Sequence, residues 1–223
     1  MINRTWRFLL LFSASAIFSC APARFVKPLA EKQKAATLSL GGPLIEYGSL
    51  VIPMPLLTAG YGYGITNTLT GFGAVNITSA FYGNAQVELG ATKQLLQQNR
   101  GLPGLSITPV ASLVYRNKDA FKIFPQLDLN AYWDFNQKRN YLYVGLSNWF
   151  ELANKRAHDE DQQHHWLVSP LIGQTFVRAK HDFTIEAKFI APNIRSDKNA
   201  VDYITPLGTH GAFGIYFGYT RKF

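Results

Sequence analysis

One polar stretch, HDEDQQHH at residues 158–165, gathers the side chains that are best suited to chemistry. It contains three carboxylates and three imidazoles, which are the groups that bind divalent metals and transfer protons. The candidate metal ligands are His158, Asp159, Asp161, His164 and His165. The candidate catalytic residues are Asp159, Asp161 and His210. Because acids and histidines in an exposed loop are usually only solvated, this stretch alone assigns no metal, no cofactor and no reaction.

A second chemical signal lies near the N-terminus. Two arginines precede the apolar run FLLLFSASAIF, which has the length of the apolar core of a secretory signal peptide. The stretch IFSC follows, and its Cys20 is the sole cysteine of the 223-residue chain. IFSC resembles the bacterial lipobox, in which the cysteine is lipidated and becomes the mature N-terminus, although the two residues before the cysteine depart from the commonest form. The resemblance implies a lipoprotein signal peptide at 1–19, palmitate on Cys20, and a lipidated tether at 20–34.

The composition excludes several classes of protein. Cleavage after residue 19 removes two arginines, so the formal net charge falls from +8 to +6, and the chain carries no aromatic–basic motif for nucleic acid. A lone cysteine allows neither an internal disulfide nor a CxxC metal site. No run approaches the roughly 18 consecutive apolar residues that a membrane helix requires. If this chain spans a membrane, strands must do so.

The dominant pattern after residue 34 is an alternation of apolar and polar residues, which is typical of β-strands. In FKIFPQLDLNAYWD, residues 121–134, every charge lies on one face. The other face carries the large apolar residues Phe121, Ile123, Leu127, Leu129 and Trp133. Small residues on the polar faces fit a crowded interior, and aromatic residues near the strand ends fit a membrane interface. Because only a closed barrel satisfies every strand hydrogen bond in lipid, we predict an antiparallel transmembrane β-barrel over residues 35–223. Alternation alone would also fit a soluble β-sandwich or a lipocalin-like barrel.

Ten strands are predicted, near residues 36–46, 50–65, 70–80, 83–94, 105–116, 120–134, 140–151, 165–178, 182–193 and 210–222. Ten is an even number, as in bacterial single-chain barrels, and eight strands are the alternative if the first hairpin is irregular. With both termini in the periplasm, three of the four periplasmic connections are tight. The two longest connections, ANKRAHDEDQQH and IRSDKNAVDYITPLGT, are then extracellular. This distribution fits the short turns and long loops of outer-membrane barrels.

The last predicted strand, within HGAFGIYFGYTRKF at residues 210–223, carries large residues at alternate positions and ends on an aromatic residue. It resembles the C-terminal β-signal of bacterial outer-membrane barrels. The matching residues are Ile215, Phe217, Tyr219 and Phe223. The resemblance implies recognition by the barrel-assembly machinery and a place in the outer membrane of a Gram-negative bacterium. It is a resemblance to small outer-membrane barrels as a class, and it indicates no specific family.

The inward faces carry charges of both signs, which we predict to form a lumen network. Its members are Glu88, Arg116, Lys122, Asp128, Asp134, Glu186 and Lys188. A buried charge without a partner is costly, so paired charges are expected to fill a narrow lumen. A basic rim at the periplasmic turns is expected to contact lipid phosphates or a periplasmic protein.

Together these features predict an outer-membrane β-barrel lipoprotein without enzymatic activity, which serves as a structural or accessory subunit or as a small-ligand binder. The expected partners are outer-membrane lipid, the barrel-assembly machinery during biogenesis, and an outer-membrane or periplasmic protein, with no nucleic acid. Two alternatives stay open. One is a cell-surface enzyme, either a lipid-modifying hydrolase or a protease that resembles the omptins, ten-stranded barrels with an Asp pair and an Asp–His dyad at the outer rim. The other is a narrow transport channel.

Overall fold

The structure is a computed structural model, which describes residues 24–47, 49–116, 120–137, 139–154, 161–196 and 203–223. The predicted signal peptide, Cys20, His158 and Asp159 lie outside the described residues. None of the helices among the described residues has the length and apolar character needed to cross a membrane.

The described chain is almost entirely β-structure. Its elements in order are β1 (Lys34–Tyr47), β2 (Leu50–Pro53), β3 (Leu56–Thr66), β4 (Leu69–Asn76), α1 (Ile77–Phe81), β5 (Asn84–Leu96), β6 (Gly104–Arg116), β7 (Ala120–Phe135), β8 (Asn140–Phe150), β9 (Trp166–Val177), β10 (His181–Arg195) and β11 (His210–Lys222). Each wall strand pairs antiparallel with its neighbours, and β11 pairs with β1 from Ala35↔Lys222 to Pro43↔Gly214. This last pairing closes ten strands into a barrel. The short strand β2 pairs only with the end of β1.

The closed antiparallel barrel of ten strands confirms the predicted fold class, and the eight-strand alternative is wrong. Most strand bounds differ from the prediction by only one or two residues, but two predicted strands are organised differently. The region 50–65 divides into β2 and β3 around Met54, where Pro53 and Pro55 lack the N–H groups that a continuous ladder needs. The region 70–80 ends as the helix α1, because the side chain of Asn76 accepts a hydrogen bond from the Ser79 N–H at 2.9 Å and caps it.

The strands turn apolar side chains outward and polar side chains inward. On β7, Ile123 and Leu129 are exposed on the outer face, whereas Gln126, Asp128 and Asn130 are buried on the inner face. An apolar exterior and a polar interior are the reverse of a soluble barrel, and they are the arrangement that lipid requires. The soluble alternatives, a β-sandwich and a lipocalin-like barrel, are therefore wrong.

The two ends of the barrel differ in their connections. At one end, here called the turn end, lie the connections at residues 67–68, 97–103, 136–139 and 178–180, together with Lys34 and Phe223. At the other, here called the loop end, lie the described parts of the longer connections, residues 151–154, 161–165, 196 and 203–209. In outer-membrane barrels short turns face the periplasm and long loops face the outside.

Candidate lumen site

The lumen contains a segment of the chain itself. Residues 24–33, here called the lumen segment, precede β1. The first part of the segment lies inside the barrel, where Phe25, Val26 and Leu29 are buried, and residues 30–32 are exposed at the turn end. The lumen segment belongs to the predicted lipidated tether, 20–34, yet in the structure it packs against the barrel wall. The difference has a physical reason, since a ten-stranded barrel encloses more space than its own wall residues fill, and apolar side chains from the lumen segment occupy part of it.

The lumen segment packs against opposite parts of the wall. Phe25 and Leu29 form a cluster with Phe72 of β4, Val110 of β6 and Ala35 of β1, with the rings of Phe25 and Phe72 5.7 Å apart. On the other side, Val26 forms a cluster with Tyr132 of β7, Tyr143 of β8 and Leu171 of β9. These contacts bridge the lumen from one wall to the other.

Inward glycines make room for this packing. A methyl group at Gly62 would come within 2.5 Å of the Phe25 ring, and one at Gly64 would overlap the carbonyl oxygen of Ala30. Gly104 and Gly173 likewise leave space for the rings of Tyr132 and Tyr143. The glycines of the polar faces are thus sites where a side chain from elsewhere fills the lumen.

Two ion pairs join the lumen segment to the barrel wall. The guanidinium of Arg24 contacts the carboxylate of Glu88 on β5, and both side chains are buried. The ammonium of Lys27 lies 2.5 Å and 2.7 Å from the two carboxylate oxygens of Asp134 on β7. The same ammonium also lies 5.1 Å from the ring centroid of Tyr132, a distance at which cation–π attraction contributes.

Hydrogen bonds hold the backbone of the lumen segment. The Ser106 hydroxyl donates to the Val26 carbonyl at 2.6 Å, and the Leu29 N–H donates to the Thr70 hydroxyl at 2.7 Å. At the turn end, the Lys32 N–H donates to the Gly64 carbonyl at 2.8 Å, and the Gly64 N–H donates to the Gln33 carbonyl at 2.9 Å. Lys32 has a φ of 63°, the left-handed conformation that lets the chain reverse into β1.

The predicted lumen network is distributed over several places. Glu186 and Lys188 of β10 are buried with 3.5 Å between their charged atoms, and the Tyr143 hydroxyl donates to Glu186 at 2.8 Å. Glu88 and Asp134 pair with the lumen segment. By contrast, Arg116 is exposed at the end of β6, and Lys122 is only half-buried near the start of β7, so neither joins these pairs.

Three consecutive inward residues of β7 form a polar ladder, which we define as Gln126, Asp128 and Asn130. They are 8%, 4% and 4% exposed. Among the described residues, no hydrogen-bond partner reaches Nε2 of Gln126, Oδ1 of Asp128, or either side-chain polar atom of Asn130. Gly145 lies opposite Asn130 on β8, where a methyl group would overlap the Asn130 amide oxygen.

The candidate residues of the loop HDEDQQHH are described only in part. Asp161, His164 and His165 are exposed, and Nδ1 of His165 lies 2.9 Å from the Glu151 carbonyl oxygen. His210 begins β11 at the loop end and is also exposed. Within the described ranges, no group of three or more His, Cys, Asp or Glu side chains is arranged to hold a metal ion.

The residues that match the C-terminal β-signal all face outward on β11 or follow it. Phe217 and Phe223 are exposed, and Ile215 and Tyr219 are half-buried on the same face. The Tyr219 hydroxyl lies 2.7 Å from Nδ1 of His181. The Phe223 N–H donates to the Lys34 carbonyl at 2.8 Å, so the chain end is tied to the start of β1.

Comparisons with known proteins concern the fold. The chain matches no protein-family model and no curated protein sequence. Among solved structures, the translocator domain of the autotransporter NalP from Neisseria meningitidis shares 10% identity with it over 98% of this chain and 95% of that chain, with a TM-score of 0.43. The attachment invasion locus protein Ail of Yersinia pestis shares 9% identity over 86% of this chain and 99% of that chain, with a TM-score of 0.30. The outer membrane protein OprG from Pseudomonas aeruginosa shares 9% identity over 89% of this chain and 99% of that chain, with a TM-score of 0.33.

These similar structures are outer-membrane β-barrels, in agreement with the class of protein that the sequence resembles. Because every identity is low and every TM-score is below 0.5, they carry no argument about what the chain does. The fold is assigned from the antiparallel pairing of the chain's ten strands, which closes the barrel, and from its apolar exterior.

Proposed function

We propose that this protein is a lipid-anchored barrel of the bacterial outer membrane with a closed lumen, and that it acts as a structural or accessory subunit. The proposal assigns it no catalytic role. Cys20 carries the lipid, and the loop end presents the protein to partners at the cell surface. The residues of the β-signal serve recognition by the barrel-assembly machinery.

The observation that carries the proposal is the packing of residues 24–29 against opposite walls of the lumen. The clusters around Phe25 and Val26 join opposite walls, and the pairs Arg24–Glu88 and Lys27–Asp134 neutralise charge that would otherwise favour water and ions. A channel needs a continuous hydrated path, whereas packed rings and paired charges interrupt one. A barrel that does not conduct ions is suited to a structural or accessory role in the membrane.

The exterior supports the location in a membrane. Leu38, Leu40 and Leu89 expose apolar side chains on the outer faces of the strands. Near the ends of the wall, exposed aromatic residues such as Tyr63 and Tyr115 resemble the aromatic girdles that lie at the two membrane interfaces.

Single-channel recording in planar lipid bilayers tests the closed lumen. We expect no conductance steps from the wild-type barrel. In Gly64→Ala, the new methyl group overlaps the Ala30 carbonyl oxygen, so the lumen segment must shift, and we expect steps or bursts of current. Gly71→Ala is the matched control, because its methyl group meets only the Ile65 side chain, at 3.4 Å on the outer face. Steady conductance from the wild-type barrel would overturn the proposal.

The second candidate function is a narrow channel that opens when the lumen segment leaves. The observation in its favour is that residues 24–33 belong to no wall strand, since the ladder closes from Ala35 onward. The same recordings separate the two candidates. Wild-type steps that become more frequent in the double variant Glu88→Gln with Asp134→Asn, which removes the acids that hold the lumen segment, would favour a gated channel.

Lipidation is tested separately in cells that incorporate an alkyne analogue of palmitate. We expect the wild-type protein to carry the label and Cys20→Ser to lack it, because Cys20 is the sole cysteine. Label that persists in Cys20→Ser, or no label on either protein, would contradict the anchor without bearing on the closed lumen.

A further inference from the structure

The lumen has an imbalance of charge at one position. Three of its carboxylates have cationic partners, in the pairs Glu88–Arg24, Asp134–Lys27 and Glu186–Lys188. Asp128, in the middle of β7, is 4% exposed, and among the described residues its Oδ1 has no hydrogen-bond partner and no cation forms an ion pair with it. Lys122 lies on the same face six residues nearer the loop end, roughly 20 Å along the strand, which is too far to pair with it.

A buried carboxylate without a counter-charge is costly, because it has lost the solvation of water and gained no opposite charge. The neighbours of Asp128 on the same strand face are Gln126 and Asn130, whose side chains also keep polar atoms without partners. Oδ1 of Asp128 and Oδ1 of Asn130 are both acceptors, and alternate residues of a strand project side by side into the lumen. The ladder thus offers oxygen atoms and one negative charge at a position where the protein supplies no cation.

We propose that the polar ladder Gln126–Asp128–Asn130 is a binding site for one small monovalent cation, such as sodium, potassium or the ammonium group of a primary amine. A single charge balances Asp128. A calcium ion would be a poor fit, because it takes six to eight oxygen ligands and would leave the site with an excess positive charge. The site is separate from the closure of the lumen by residues 24–33, and its test leaves that proposal untouched.

The experiment follows unfolding of the full chain by urea in detergent micelles. Sodium, potassium and methylammonium chlorides are compared with the chloride of N-methyl-D-glucamine, a cation too bulky for the ladder, at equal ionic strength. If a small cation binds only the folded state and is present at about ten times its dissociation constant, it raises the ratio of folded to unfolded protein about tenfold. At least one of the three should therefore raise the urea midpoint of the wild-type protein.

The variant Asp128→Asn keeps the shape of the side chain and removes its charge, so we expect its urea midpoint to be the same in all four salts. Glu46→Gln is the matched control, since Glu46 is an exposed acid on the hairpin of β1 and β2. It should respond as the wild-type protein does. The proposal is overturned if the wild-type midpoint does not depend on the cation, or if Asp128→Asn keeps the full response. It is also overturned if Asp128→Asn is the more stable protein in every salt, since Asp128 would then be an uncompensated buried charge.

Discussion

The pair Arg24–Glu88 provides a sharp test of the closed lumen. Arg24→Ala removes the cation and leaves the Glu88 carboxylate, which is 1% exposed, inside the barrel. Breaking a buried ion pair by removing one partner costs about 3–5 kcal/mol, mainly because the remaining charge is uncompensated. We expect Arg24→Ala to lose about that much free energy of unfolding.

A second substitution isolates the electrostatic part of this loss. In the double variant Arg24→Ala with Glu88→Gln, the buried charge is gone, and a neutral amide remains where the carboxylate was. Most of the loss should therefore be recovered, leaving a cost of about 1–3 kcal/mol for the unmade hydrogen bonds of a buried polar group. Lys32→Ala is the control, because the Lys32–Glu31 pair is 3.9 Å apart and mostly exposed. Its expected effect is about 0–1 kcal/mol.

The assay is equilibrium unfolding in urea, read from tryptophan fluorescence and extrapolated linearly to zero denaturant. The chain has four tryptophans, and Trp149 packs against Phe124 with ring centroids 5.0 Å apart. If Arg24→Ala costs no more than Lys32→Ala, or if Glu88→Gln fails to recover stability in the double variant, the reasoning about this pair is wrong.

Two further predictions test the exterior and the chain end. Leu129→Arg places a charge on the lipid-facing side of β7, where Leu129 is 40% exposed, and should lower the free energy of unfolding in lipid vesicles by about 2–4 kcal/mol. The control Leu207→Arg, outside the strands, should unfold at the same urea concentration as the wild-type protein. Equal stability of the two variants would contradict the outward orientation of Leu129. Phe223→Ala should lower the amount of assembled barrel in the outer membrane, measured as the fraction that resists unfolding in cold detergent. Leu207→Ala should leave that amount unchanged. A wild-type amount of assembled Phe223→Ala would show that the assembly machinery does not recognise the terminal ring.

Most strands could be predicted from the sequence because apolar and polar residues alternate along them, although the pattern is mixed over residues 165–178 and glycine-rich over 36–46. Alternation over residues 121–134 places the charges on one face, and the pairing of β6 with β7 extends without a break from Gly104↔Tyr132 to Arg116↔Ala120. The number of strands followed from the same pattern and from the lengths of the connections. The helix α1 did not, since its five residues interrupt the pattern and depend on a local cap by Asn76.

The lumen segment could not be predicted, because its burial depends on contacts that are distant in sequence. Val26 is held by Ser106, 80 residues away, and Lys27 by Asp134, 107 residues away. This short stretch contains a proline and charges of both signs, and its apolar residues do not recur at the spacing of a strand or a helix. The one signal that the sequence offered was the presence of Phe25, Val26 and Leu29 in a segment that a solvated tether would not fill with apolar side chains.

The polar ladder was predicted only in part. Alternation placed Asp128 inside the barrel, but the sequence could not show which lumen carboxylates have partners. That distinction required the positions of Arg24, Lys27 and Lys188 relative to them. Arg116 and Lys122 illustrate the same limit. The alternation correctly places both on the inward faces of their strands, but they lie near the loop end and not among the buried charges.

The most direct test of the account is to locate residue 25 in the folded protein. Phe25 is replaced by the photo-cross-linking residue p-benzoylphenylalanine, the protein is irradiated in its native membrane, and the linked peptides are identified by mass spectrometry. Phe25 packs against Phe72 of β4, and a methyl group at Gly62 of β3 would overlap its ring. We therefore predict cross-links within one chain to β3 and β4, whereas the same probe at the outward Phe121 of β7 should not reach those strands. Cross-links from position 25 only to lipid or to other proteins would contradict a lumen closed by the protein's own N-terminal segment.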